Sequence, residues 1–195
     1  MEDRVLTLPN AVTVARLCLL PIFLWVLLGR HDRYAAAAVL ACMGATDWVD
    51  GYLARHLHQV SSVGKVLDPV ADRLLLLGGV GAIIWVGAAP IWVAVVVLAR
   101  EAVVAVATLT LAALGARRID VTWFGKAGTF GLMVAFPLFL VGHSAASWHG
   151  FAETGAWIAA LPGLAFGLYA LALYVPLARA ALADGRRTEV VEVTP

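Results

Sequence analysis

Residues 45–77 read ATDWVDGYLARHLHQVSSVGKVLDPVADRLLLL and place Asp47, Asp50, Asp68 and Asp72 in a chain that is otherwise 62% hydrophobic. An ionised side chain at membrane depth costs about 2.5–3.5 kcal/mol on insertion scales, so it faces a bundle interior or a water-filled cavity. Asp47 and Asp50 are three residues apart and Asp68 and Asp72 four apart; both spacings put side chains on one helix face. Two facing carboxylate pairs repel one another in a low-dielectric site until some become neutral, unless a cation is supplied. A divalent metal removes that difficulty, and all-oxygen ligation selects the hard ions Mg²⁺, Mn²⁺ or Ca²⁺ over zinc or copper. His56 and His58 follow just past the apolar span and read as solvated loop positions.

Glycine weakens a helix by about 1 kcal/mol relative to alanine, so Gly51, directly after Asp50, and Gly64, four before Asp68, suggest that something approaches the backbone closely. For Gly51 that something is read as a ligand; for Gly78, Gly79 and Gly81 it is read as a neighbouring helix. Arg55 adds a planar, permanently charged fork suited to phosphate oxygens. Carboxylates, a hard metal and an arginine describe a site for phosphate esters. The metal would bridge pyrophosphate oxygens, the arginine would neutralise the remainder, and one carboxylate would take a proton from an attacking hydroxyl.

The elements that must position these groups follow from composition. Of 195 residues only 14% are charged, against about 25% in a soluble domain, and apolar runs of ~20 residues, enough to cross ~30 Å of hydrocarbon, recur from end to end. The chain is therefore expected to be an all-α integral membrane protein with six transmembrane helices, over residues 10–29, 33–55, 67–88, 90–115, 126–147 and 155–182, forming one domain, 1–185, with a short frayed tail at 186–195. Arg30 and Arg33 lie in one short connection, whereas Arg4, Lys65, Arg117, Arg118, Arg186 and Arg187 fall on the opposite side. The positive-inside rule makes that side cytoplasmic and puts both termini there, in a multi-pass protein of the cell membrane. A secretory signal peptide is the alternative for the first run, but it starts behind an acidic MED and shows no small-residue cleavage site. Cys18 and Cys42 sit in separate spans and read as small hydrophobes. A net charge of +1 suggests no nucleic-acid partner.

The string Asp47-x2-Asp50-Gly51-x2-Ala54-Arg55-x8-Gly64-x3-Asp68-x3-Asp72 resembles, position for position, the motif of the CDP-alcohol phosphotransferases. LPNAVTVARLCLLP at the start is similar to the Pro-Asn-x2-Thr-x2-Arg opening of the bacterial phosphatidyl-transferring branch, and DPVADRLLLL, LAREAV and FGKAGTF follow in the expected order. The resemblance implies a six-helix membrane fold, a homodimer, and a site open to the cytoplasmic leaflet. It makes Asp47, Asp50 and Asp68 ligands of two Mg²⁺ or Mn²⁺ ions, and Asp72 both ligand and base. Asp47, Gly51, Ala54, Arg55 and Gly64 would hold the cytidine diphosphate moiety of CDP-diacylglycerol. An acceptor hydroxyl would attack the lipid-bearing β-phosphate, and CMP would depart.

Other residues have two readings each. Asn10, Thr13 and Arg16 recur on one helix face and either reach the site or a lipid phosphate, or anchor the first span. Arg100 and Glu101 lie within the fourth span, as site residues or as an ion pair stabilising the bundle. Lys126 binds the acceptor or its phosphate, or snorkels to the interface. Pro137 and Pro162 are expected to shape helices.

The acceptor alcohol is less legible. Relatives making phosphatidylglycerophosphate often carry a second lysine where this chain has Gly128, in GKAGT. The missing cation weakens the case for a phosphate-bearing acceptor such as glycerol 3-phosphate, and the run VTWFGKAGTFGLMVAFPLFLVG is similar to the actinobacterial CMP-forming cardiolipin synthases, which use phosphatidylglycerol. The alternatives are phosphatidylglycerophosphate synthesis, inositol phosphate or another polyol, an intramembrane metal-ion transporter, and a membrane scaffold. A transporter commonly shows internal repeats, and no comparable aspartate pair recurs in the second half.

Overall fold

The computed structural model describes residues 8–57, 64–113 and 122–192, with side chains over 13–46, 71–111, 122–174 and at 176. Among the described residues there are six α-helices and no strand. The helices are α1 (Leu8–Leu24), α2 (Arg33–Leu57), α3 (Gly64–Trp85), α4 (Ile91–Ala113), α5 (Trp123–Gly142) and α6 (His149–Glu192). Of these, three are long and apolar enough to cross a membrane, α4 over Ile91–Leu111, α5 over Trp123–Gly142 and α6 over His149–Tyr174, while Thr13–Gly29 is apolar but shorter. The expected tail is helical as far as Glu192, because α6 runs on past Arg187.

Local chemistry explains where the elements stop and start. Pro21 lies inside α1, and four residues later the helix widens into a π-turn, Trp25–Gly29, closed by Arg30 N–H donating to the Trp25 carbonyl at 3.0 Å. Asp32 then caps α2: its Oδ1 accepts from Ala35 N–H at 2.9 Å, satisfying one of the donors that a helix start leaves unpaired. At the end of α3, Gly87 takes φ +67°, and the bonds Gly87 N–H to Ile84 O (2.8 Å) and Ala88 N–H to Ile83 O (3.0 Å) form a Schellman cap, for which glycine carries no Cβ penalty. Thr122 caps α5, accepting from Gly125 N–H at 3.2 Å.

The chain forms two compact units. The first, Met1–Ala94 with Met133–Ile158, has α1 packed on both α2 and α3 around fully buried Phe23, Leu27, Ile83, Val93, Phe139 and Leu140. Trp157 stacks on Trp92 at 5.8 Å and meets Phe139 edge-on at 5.3 Å. Gly78 allows this packing as expected, since a Cβ there would lie 3.3 Å from Leu20 of α1. Gly79 and Gly81 differ from expectation: a Cβ on either would meet no described atom within 4 Å. The spacing pattern of three glycines on one turn could not separate the one that faces α1 from its neighbours.

In the second unit, Val95–Leu132 with Ala159–Pro195, α5 and α6 meet backbone to backbone. A Cβ at Gly128 would stand 2.8 Å from Gly163 O and Gly167 N, and one at Gly131 would stand 3.0 Å from Ala159 O. Small residues permit this approach, in which dispersion and carbonyl contacts replace side-chain packing. Phe124 adds an edge-on contact to Tyr169 at 4.9 Å.

Candidate active site

Asp47, Asp50, Gly51, Ala54 and Arg55 fall in the C-terminal half of α2, and Gly64 opens α3, which goes on to carry Asp68 and Asp72. Each aspartate pair thus sits within one unbroken helix, so the three- and four-residue spacings act as helical spacings. The side chains of Asp47, Asp50, Gly51, Ala54, Arg55, Gly64 and Asp68 lie outside the described residues, as do those of Asn10 and His56; His58 is outside them altogether. Among the described residues no group of three His, Cys, Asp or Glu could hold a metal.

Asp72 is described, and α1 reaches it. Arg16 Nη1 donates to Asp72 Oδ1 at 3.1 Å. The arginine side chain is 8% exposed and the carboxylate 62%, so a nearly enclosed cation holds a carboxylate that still faces open space. Thr13, one turn before Arg16, is also buried. Of the two readings for the Thr13 and Arg16 face, the geometry joins Arg16 to a motif aspartate.

Arg100 and Glu101 also pair, Nη1 to Oε1. The ion pair expected of them is therefore present; its partners are neighbours on α4, so it neutralises two charges within one helix and links no second helix. What Arg100 does contact is α6: a Cβ at Gly167 would lie 3.4 Å from its Nε. That Nε is buried and has no hydrogen-bond partner, an arrangement that ordinarily costs about 1–3 kcal/mol. Lys126 stands in the first turn of α5 and is exposed. Gly128, two residues on, is buried against α6, where no side chain fits without displacing backbone.

Cys18 and Cys42 are both unpaired and exposed. Pro137 and Pro162 lie inside α5 and α6 without ending either helix. Arg33, which the sequence marks only as a topology signal, also ties two connections together. Its Nη1 donates to His143 O at 2.7 Å and its Nη2 to Val86 O at 2.8 Å. Nothing in the sequence could single it out, because both acceptors are backbone carbonyls.

Known proteins resemble the chain over most of its length. A cardiolipin synthase (CMP-forming) of Streptomyces coelicolor is 41% identical over 180 residues, covering 88% of this chain and 79% of its own length. A CDP-diacylglycerol–glycerol-3-phosphate 3-phosphatidyltransferase of Bacillus subtilis is 34% identical over 148 residues, covering 69% and 76%. The family model described as CDP-alcohol phosphatidyltransferase matches residues 6–180, a span that contains the whole aspartate motif together with Arg16 and Lys126, and the chain therefore belongs to the CDP-alcohol phosphatidyltransferase family.

Proposed function

We propose that this phosphatidyltransferase moves the phosphatidyl group of CDP-diacylglycerol to phosphatidylglycerol, forming cardiolipin and releasing CMP. The observation that carries the choice of acceptor is Gly128. Lys126 is the only cation within Trp123–Gly142, and the close approach of α6 leaves no room for a second at position 128. A phosphomonoester acceptor brings an additional charge that this turn has little to neutralise. The 41% identity to the Streptomyces enzyme points the same way.

The donor set Asp47, Asp50, Asp68 and Asp72, all oxygen and carried on two helices, fits a hard divalent ion, and these four residues would hold Mg²⁺ or Mn²⁺, as two ions. When bound, such ions supply charge neutralisation at the pyrophosphate. Gly51, Ala54, Arg55 and Gly64 would accommodate the cytidine diphosphate moiety. Asp72 takes the proton from the acceptor hydroxyl, held in place by Arg16. The hydroxyl oxygen bonds to the β-phosphorus, the phosphoanhydride bond breaks, and its electrons leave with CMP. Transfer of this kind asks a protein mainly for positioning and charge neutralisation. Arg100, with its unpartnered Nε, and Lys126 are assigned to the acceptor's phosphate. The site faces the cytoplasmic leaflet of the cell membrane, both termini lie on that side, and the working unit is a homodimer.

Glycerol 3-phosphate is the second reading, favoured by the Bacillus relative. Purified protein in detergent with CDP-diacylglycerol and Mg²⁺ or Mn²⁺ separates the two. CMP release is expected with phosphatidylglycerol. Release with glycerol 3-phosphate alone overturns the assignment, and metal flux into proteoliposomes without CMP release would favour a transporter.

A further inference from the structure

Within the first unit, at the ends of the helices away from Asp72, lies a cavity of about 790 Å³ whose wall includes Arg30, His31, Arg33, Tyr34, His143 and Trp148. Val86, also in the wall, follows the last turn of α3 fourteen residues after Asp72, which puts the cavity about 21 Å along the helix from that carboxylate. The volume is within the range of ligand sites, roughly 300–1,000 Å³.

The polar groups of this wall divide into those already engaged and those left over. Arg33 is engaged, its two terminal nitrogens donating to Val86 O and His143 O. Asp32, the one acid among the lining residues, is engaged as the cap of α2. His143 Nδ1 is engaged by Phe139 O at 3.0 Å, which leaves Nε2 as the nitrogen open to a ligand. Arg30 is left over. Its guanidinium carbon lies 5.5 Å from the centroid of the Trp25 ring, and none of the described residues offers it a carboxylate or a hydrogen-bond acceptor. A guanidinium resting on an aromatic face keeps its in-plane N–H groups for an oxyanion, which it can grip with two parallel bonds. Beside it, His31 holds a left-handed backbone, φ +55°, at the turn that begins the cavity wall.

The surroundings indicate which oxyanion. Trp25, Tyr34, Trp85, Trp92, Trp148 and Phe151 are all exposed and all stand at helix ends on this side of the unit, an arrangement of aromatic rings that belongs at the headgroup level of a bilayer. Basic residues are otherwise scarce in these connections. Arg33 is explained by the carbonyls it binds, and Arg30 is not.

We propose that this cavity binds the phosphodiester of an anionic phospholipid headgroup, with Arg30 as the principal donor and His31 beside it, in the leaflet opposite the aspartate motif. The shared chemistry is a phosphate oxyanion, so free phosphate is the other source to be distinguished.

The test uses the full chain in detergent, wild type against Arg30→Gln, with lipids counted by native mass spectrometry after addition of phosphatidylglycerol or phosphatidylcholine. Wild type is expected to retain phosphatidylglycerol several-fold better than Arg30→Gln, with phosphatidylcholine retention and CMP release alike in both. Retention of inorganic phosphate that is lost in Arg30→Gln, with phosphatidylglycerol retention unchanged, would support the oxyanion site and replace the lipid by the free anion. Equal retention of both probes by the two proteins overturns the site. Should Arg30→Gln lower the melting temperature, His31→Gln carries the same expectations and leaves the contact with Trp25 intact.

Discussion

Arg16 Nη1 stands 3.1 Å from Asp72 Oδ1 and joins α1 to α3 across 56 residues of sequence. The two ends of this bond differ in environment, the arginine enclosed and the aspartate 62% exposed. Enclosing both partners would add the desolvation cost of a second ion; here only the arginine is enclosed, and the carboxylate it holds keeps an open face.

Asp72→Asn should abolish CMP release, with a loss of about 10²–10⁴-fold as expected for removal of a general base. Asparagine keeps an acceptor oxygen for Arg16, so the melting temperature should hardly move. Activity within a factor of a few of wild type would remove Asp72 from the reaction.

Arg16→Met should lower kcat while leaving the aspartate motif chemically intact, and should cost stability. A hydrogen bond to a charged group contributes about 1.5–3 kcal/mol, and the exposure of Asp72 argues for the lower end of that range. Denaturant melts alongside CMP-release assays check both. Unchanged turnover in a destabilised protein would make Arg16 a purely structural residue.

Chelation by EDTA should stop CMP release, and added Mg²⁺ or Mn²⁺ should restore it. Turnover that survives exhaustive chelation would remove the metal assignment of Asp47, Asp50, Asp68 and Asp72.

Substitutions at glycine should separate by position. Gly128→Ala places a Cβ 2.8 Å from backbone atoms of α6 and should destabilise the protein by about 1–3 kcal/mol, as overpacking does. Gly79→Ala and Gly81→Ala meet no described atom within 4 Å and should be neutral or stabilising by up to about 1 kcal/mol, since alanine is the better helix former. Thermal melts of the three variants in one detergent provide the comparison.

Arg33→Lys keeps the charge but not the fork that reaches Val86 O and His143 O together. Arginine and lysine are not interchangeable at such two-pronged sites. A loss of about 1.5–3 kcal/mol, the value of one charged hydrogen bond, is expected, and an unchanged melting temperature would show that the two carbonyls are as well served by water.

The sequence by itself determined the membrane character, the number of helices and the family. Apolar runs of bilayer length and acids at helical spacing are local patterns, and a helix satisfies its own backbone wherever it sits. The caps are local too, with Asp32 and Thr122 at helix starts and Gly87 past a helix end. Tertiary structure decided what lies between helices. That Arg16 rather than another polar residue reaches Asp72, that Gly78 and Gly128 are crowded while Gly79 and Gly81 are not, and that Arg33 spans two carbonyls all depend on rotation and separation of helices distant in sequence. The apolar periodicity of a membrane chain fixes these weakly, because lipid and protein interior are almost equally apolar. Close packing and directed hydrogen bonds then choose the faces that meet.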